Sequence, residues 1–215
     1  MATTRAGALA AGELARRGVE VFGPVVLGRN GVVASIVGHD GDRAMASDRG
    51  VAPTLSADEL EPAWFEGGTH LHLSGYSVMS SPIDQAAARA AELVRAGGGA
   101  VSVDLASRRV ILGFGPERLQ RVLEELDPEV VFANEEEREA VGPGAVPRAT
   151  WVLKRGAAGC AIERGEERSE YPALPTEVVD TTGAGDAFAA GYLVGGVELG
   201  LETAARCVSQ LGAMP

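Results

Sequence analysis

The sequence lacks the features that would hold a nucleic acid or an anionic membrane. It sets 19 basic side chains against 30 acidic ones, for a formal charge of −11, and electrostatic binding to phosphate-rich surfaces needs the opposite sign. No apolar run approaches the ~20 residues of a membrane span. The opening Met1-Ala-Thr-Thr-Arg5 lacks the charged-then-apolar order of a secretory leader. Only two cysteines occur, Cys160 and Cys207, with neither metal-ligand spacing nor a framework to staple, which fits a reducing compartment. Aromatic residues are scarce, at 5%, and Lys154 is the one lysine beside 18 arginines. That ratio reads as the mark of a GC-rich genome, and it makes the single lysine worth following. These shortages predict an acidic, globular, cytoplasmic chain that partners neither nucleic acid nor membrane. At 215 residues and 46% apolar content it can bury roughly 70% of its unfolded surface, and one domain over residues 1–215 is expected.

Glycine is abundant, with 29 residues, and punctuates the chain. The pattern predicts a helix over 7–17 stopped by Gly18. Strands follow at 19–22, 24–27, 32–37 and 43–48, with turns at Gly28–Gly31 and at His39-Asp40-Gly41-Asp42. Ser56-x-x-Glu59 forms a capping box. A strand at 69–74 precedes Ser81-Pro82, read as an N-cap with proline at the first helical position, and a helix to Arg95. From there strand and helix alternate: 100–104, 116–126, 129–133, 135–141, 150–154. A hairpin at 160–174, a strand at 177–180 and helices at 184–195 and 198–212 complete the chain. Such alternation calls for parallel strands with helices on both faces, and the all-apolar Val130-Val131-Phe132-Ala133 suits a doubly covered sheet. The expected fold class is α/β, a three-layer sandwich with a mainly parallel central sheet and a small β segment over 24–50. His70 and His72 alternate with leucines and are expected to share one side of a strand without binding metal.

The most informative segment is Val178-Val179-Asp180-Thr181-Thr182-Gly183-Ala184-Gly185-Asp186-Ala187-Phe188. An apolar stretch runs into two glycines, and an alanine-rich helix begins at once. Glycines there let backbone N–H groups converge at a helix N-terminus, which favours an anion. A carboxylate in the same turn would repel that anion in simple binding. Asp186 makes sense if it removes a proton from a hydroxyl attacking a phosphoryl group held by those amides. A dinucleotide site would need a third glycine where Phe188 stands, and a P-loop would need a glycine-rich run before the lysine.

Asp180 to Phe188 closely resembles the C-terminal signature of the ribokinase/PfkB-type carbohydrate kinases, a family that includes nucleoside kinases. The resemblance implies a ribokinase-like fold and an ATP-dependent, Mg²⁺-requiring phosphotransferase acting on a hydroxyl of a small sugar or nucleoside. It makes Asp186 the catalytic base, Gly183, Ala184 and Gly185 the anion hole, and Thr182 a neighbour of the phosphates. Phe132-Ala133-Asn134-Glu135-Glu136-Glu137 looks like the family's N-x-x-E element, so Asn134 and Glu137 would position Mg²⁺ and phosphates; alone, the same residues read as an N-cap with acids favouring the helix dipole. Trp151 to Gly159 resembles the strand and turn near the nucleotide, where Lys154 or Arg155 would meet phosphate and Gly156 and Gly159 shape the turn. Asp104 falls where sugar kinases of the ribokinase branch read D-x-N-x-R, but Ala106 replaces the Asn, which counts against ribose or 2-keto-3-deoxygluconate. Asp104 remains a candidate substrate-binding residue.

The Gly31–Gly50 stretch looks like the family's lid strands, and the reading leaves open whether these pair between two subunits or cover one site, and whether a monovalent cation is bound. The family's first strand, its sugar-binding Asp and its Gly-Gly motif are not found here, so a truncated gene is expected. The alternative is a nucleotide-binding remnant without a complete acceptor site.

Overall fold

The computed structural model describes residues 3–37, 43–142 and 144–213. The chain forms two compact units, Met1–Ala100 and Val101–Pro215. The expected turn at His39–Asp42 lies outside the described residues.

In the first unit, helix α1 (Arg5–Arg16) starts at Thr4, whose hydroxyl accepts the Gly7 N–H at 3.1 Å, and the chain leaves it through Gly18 at φ 76°. Strands β1 (Val32–Val37) and β2 (Arg43–Asp48) make a two-stranded antiparallel sheet, with Val32 opposite Asp48 and Val37 opposite Arg43. The strands expected at 19–22 and 24–27 do not form. Gly23 at φ 121° and Gly28 at φ 145° break the run, and Val19, Val21, Phe22, Val25 and Leu27 stay exposed; an apolar run becomes a strand only where an edge receives it. Residues 28–31 lie instead against Gly50, where Arg29 C=O accepts the Val51 N–H at 2.9 Å.

The Ser56–Glu59 box is present, the Ser56 N–H donating to Glu59 Oε2 at 2.9 Å, and it opens a single tight turn. Strand β3 (His70–Ser74) exposes His70 and His72 and buries Leu73. A short helix α2 (Gly75–Val78) follows. Helix α3 (Ile83–Ala96) buries Ala86, Ala87, Ala90, Ala91 and Val94, the three-and-four spacing of one apolar face. Pro82 stands at its N-cap, one position earlier than expected.

The second unit is built on strands β4 (Ala100–Asp104), β5 (Val130–Asn134), β6 (Thr150–Lys154), β7 (Cys160–Arg164) and β8 (Glu167–Tyr171), adjacent in that order. The β4–β5 and β5–β6 pairings are parallel; β6–β7 and β7–β8 are antiparallel. Helices α4 (Arg108–Phe114), α5 (Pro116–Leu126) and α6 (Glu135–Val141) connect the parallel strands. The sequence had not indicated α4, seven residues too short to show a helical period. Leu119, Leu123 and Leu126 are the buried stripe of α5.

Helix α7 (Ala184–Val208) covers the opposite face, with Phe188, Ala189 and Tyr192 against Phe132, Val152 and Cys160. On the other face the Arg138 guanidinium of α6 sits 4.2 Å from the Trp151 ring centre. Helix, sheet and helix thus form three layers within this unit. The helix α7 is in fact a hairpin: Gly195 and Gly196 leave helical geometry, so two arms, 184–194 and 197–208, fold back on each other. It ends at Val208 rather than at 212. The strand expected at 177–180 is absent. Its backbone bonds go to that helix end, Val179 and Asp180 N–H both donating to Val208 C=O at 2.8 and 3.2 Å.

Candidate active site

Strand register brings the first group together. Asp104 ends β4 opposite Phe132, and Phe132 lies opposite Val152. Side chains alternate along a strand, so Asp104, Phe132, Asn134, Val152 and Lys154 all point to the face that α7 covers. All sit at or near the carboxyl ends of parallel strands, where open α/β sheets bind ligands. The Lys154 ammonium reaches back across β5 and donates to Asp104 Oδ2 at 2.6 Å. The other carboxylate oxygen, Oδ1, is buried without a hydrogen-bond partner among the described residues.

Asn134 caps α6. Its Oδ1 accepts the Glu137 N–H at 2.8 Å, while Glu137 Oε2 accepts the Asn134 N–H at 2.8 Å. Glu137 is buried. Burial pushes its carboxyl above the usual range; the Asn134 N–H and the nearby Lys154 ammonium pull it down, and Asp104 and Glu136 raise it again.

The second group is the turn before α7. Asp180 Oδ1 accepts both the Thr182 N–H at 2.9 Å and the Thr182 hydroxyl at 2.7 Å. Its Oδ2 accepts the Gly212 N–H at 3.1 Å. The turn is also closed from below, Cys207 Sγ lying 3.5 Å from Thr182 C=O. Gly183 is left-handed, at φ 81°, and a Cβ there would lie 2.8 Å from the backbone of Ala213. Only glycine fits both conditions. The Ala184 N–H turns back to Thr181 C=O at 3.3 Å and the Ala187 N–H starts the helical ladder at Gly183 C=O. Asp186 sits exposed in the first turn of α7. Lys154 packs on this turn, its Nζ 3.4 Å from the place a Gly185 Cβ would occupy. The strand-end group and the glycine turn therefore meet at one point.

The comparison with known families matches this arrangement to the pfkB family carbohydrate kinase model over residues 4–214. The chain belongs to that family. An ATP-dependent ribose-1-phosphate kinase from Halopiger xanaduensis is 30% identical over 209 residues, a match spanning 94% of this chain and 68% of that protein. Adenosine kinase from Sinorhizobium meliloti has the same fold, with a TM-score of 0.87, 22% identity, and coverage of 100% of this chain and 72% of that one. A putative ribokinase II from E. coli in complex with ATP and Mg²⁺ superposes with a TM-score of 0.80 and 26% identity, covering 100% of this chain and 76% of that one. No helix among the described residues is long and apolar enough to cross a membrane.

Within this pfkB-family chain, Asp104, Lys154 and Gly185 come together, Asn134 and Glu137 share one capping box beside them, and Gly183, Ala184 and Asp186 open α7. Arg155 goes elsewhere. It pairs with Glu135 and Glu170, each at 3.0 Å, in a cluster of ion pairs that also holds Arg168, Glu163 and Arg138. Gly156 at φ 56° and Gly159 at φ 86° shape the β6–β7 connection; a side chain on Gly159 would overlap the Tyr171 carbonyl. The Thr182 hydroxyl donates its proton to Asp180.

Two features escaped the sequence reading. The Asp104–Lys154 bond follows from the register of three strands, and period-two alternation at the strand ends was the signal available. Asp180, the brace of the glycine turn, bonds Gly212, 32 residues away, and no local pattern announces that.

Proposed function

We propose that this chain is an ATP-dependent kinase that phosphorylates a hydroxyl of a small sugar or nucleoside, with Asp186 as the base. The observation that carries this reading is the meeting of Lys154 with the turn Gly183–Asp186, which sets a cation and converging backbone amides beside an exposed carboxylate. Backbone amides at the N-terminus of α7, beside the left-handed Gly183, are suited to take the oxygens of the transferring phosphoryl group. Asp186 accepts the acceptor's hydroxyl proton as its oxygen attacks, and the bond to the leaving ADP oxygen breaks in line. The Lys154 ammonium offsets charge on the phosphate oxygens.

Mg²⁺ is implied by the family, and the residues present fit it. Glu137 is a buried carboxylate with one oxygen committed to a backbone amide; hard oxygen donors suit this ion, which commonly keeps several of its waters. Glu137 would hold it, with Asn134 orienting Glu137 through the capping box. When bound it supplies charge neutralisation at the phosphates.

The test pairs Asp186→Asn with the unaltered chain in calorimetry with MgATP and in turnover assays over a panel of sugars and nucleosides. Turnover on one acceptor in the unaltered chain is expected, with turnover lost and nucleotide binding kept in the variant. Near-normal phosphoryl transfer by Asp186→Asn would overturn the base assignment. Nucleotide binding without turnover on any acceptor would favour the remnant reading.

A further inference from the structure

We propose that Asp104 is a positioning residue for nucleotide binding, acting through Lys154 and making no contact with the acceptor. The inference rests on the kinase reading above. A lysine at the end of a strand would normally carry its ammonium outward on a flexible four-carbon stem, where water solvates it best. Here the side chain bends across β5 to a carboxylate two strands away, at 2.6 Å. That bond fixes where the ammonium stands, beside Gly185, where the missing side chain leaves room for it. One of the three ammonium protons goes to Asp104, and two remain for phosphate oxygens arriving at the turn.

The state of Asp104 argues against a contact with the acceptor. Oδ2 is taken by Lys154, and Oδ1 is closed to solvent. A hydroxyl arriving from water reaches neither oxygen unless the pair is broken. The carboxylate is thus placed to serve the lysine, and the carbon skeleton around it completes the core at the end of β4, where Asp104 is 7% exposed.

Lys154 is the only lysine, which makes the test clean. In the full chain, the rate at which an amine-reactive acetylating reagent modifies Lys154 is followed by peptide mass mapping. It is read with and without saturating MgATP, in the unaltered protein and in Asp104→Asn. Calorimetry gives the MgATP affinity of Asp104→Asn, Lys154→Met and the double variant, and steady-state kinetics give KM for the acceptor. MgATP is expected to protect Lys154, and Asp104→Asn to speed its modification several-fold. Asp104→Asn should weaken MgATP binding by about three- to tenfold, and the double variant should bind no more weakly than Lys154→Met alone, because charge-assisted partners in one pair are not additive. The acceptor KM should stay unchanged.

Losses that multiply in the double variant, or a raised acceptor KM with MgATP affinity intact, would overturn the proposal. Absence of protection in the unaltered chain would overturn it without any variant, so a poorly folding Asp104→Asn does not block the test. An unaltered chain that binds no MgATP would sink the kinase reading and this inference together. Binding without protection or coupling would sink this inference alone.

Discussion

Replacing Gly191 by alanine should destabilise the protein, although helix propensity alone favours the change. An alanine in a helix interior is about 1 kcal/mol better than glycine. The two arms of α7 cross at Gly191, and a Cβ there would overlap Thr203 Oγ1 and lie 2.6 Å from Leu199 C=O and 2.9 Å from Gly200 Cα. The hydroxyl could rotate away, but the two backbone atoms cannot move without opening the hairpin. Opening it also breaks the bond that joins the arms, Thr203 Oγ1 donating to Ala187 C=O at 2.7 Å. Overpacking of this kind costs about 1–3 kcal/mol and the lost hydrogen bond about 1 kcal/mol. After the propensity gain, a net loss of about 2 kcal/mol remains, or roughly 4–8 °C in Tm for a chain of this length. Gly113 in α4 is the control, because nothing lies within 4 Å of its would-be Cβ; Gly113→Ala should raise Tm by a degree or two or leave it unchanged. Differential scanning calorimetry of both variants decides the matter. A Gly191→Ala protein that melts at or above the unaltered chain would show that the arms do not cross as closely as described.

Two further outcomes are expected. Glu137→Gln keeps an acceptor for the Asn134 N–H while removing a buried charge, so the capping box survives. Because burial raises the Glu137 pKa in the folded protein, its contribution to stability is fully present below the ordinary carboxyl value and fades as pH rises through the raised one. The Tm of the variant should therefore improve relative to the unaltered protein as pH rises above the ordinary carboxyl value of about 4.3, and a difference that stays flat with pH would refute the burial argument. Ala106, at φ 67°, holds a left-handed conformation that costs an alanine about 1 kcal/mol. Ala106→Gly should raise the denaturant midpoint slightly, the flexibility of glycine in the unfolded chain taking back part of the gain; a clear loss would mean that the methyl group packs there.

The elements from β4 to β6, apart from α4, were legible because each buries a continuous apolar run or a regular stripe. Val130 to Ala133 has nowhere to go but a covered sheet, and Leu119, Leu123 and Leu126 mark one side of a helix. The false strands at 19–22, 24–27 and 177–180 have the same apolar character without a neighbouring edge to bond, and composition alone does not distinguish the two situations. The glycine turn was legible because its pattern is local: the nine residues from Asp180 to Phe188 hold the left-handed Gly183, the Asp180–Thr182 bonds and the start of α7. Asn134 and Glu137 were read two ways, and the structure shows the capping geometry in full while leaving Glu137 beside Lys154, so the cap and the proposed role occupy the same atoms. The pairing of Lys154 with Asp104 was not legible, because it depends on which strand lies beside which.

The brace at Asp180 bears on how this protein is made. The turn that opens α7 is held by bonds from Val208 and Gly212, residues that are synthesised after the turn and both arms of the hairpin. A nascent chain halted before Val208 has the whole glycine signature in its sequence and none of the partners that hold it in shape. The turn is thus among the last parts of the second unit to form, because the residues that hold it are synthesised after it.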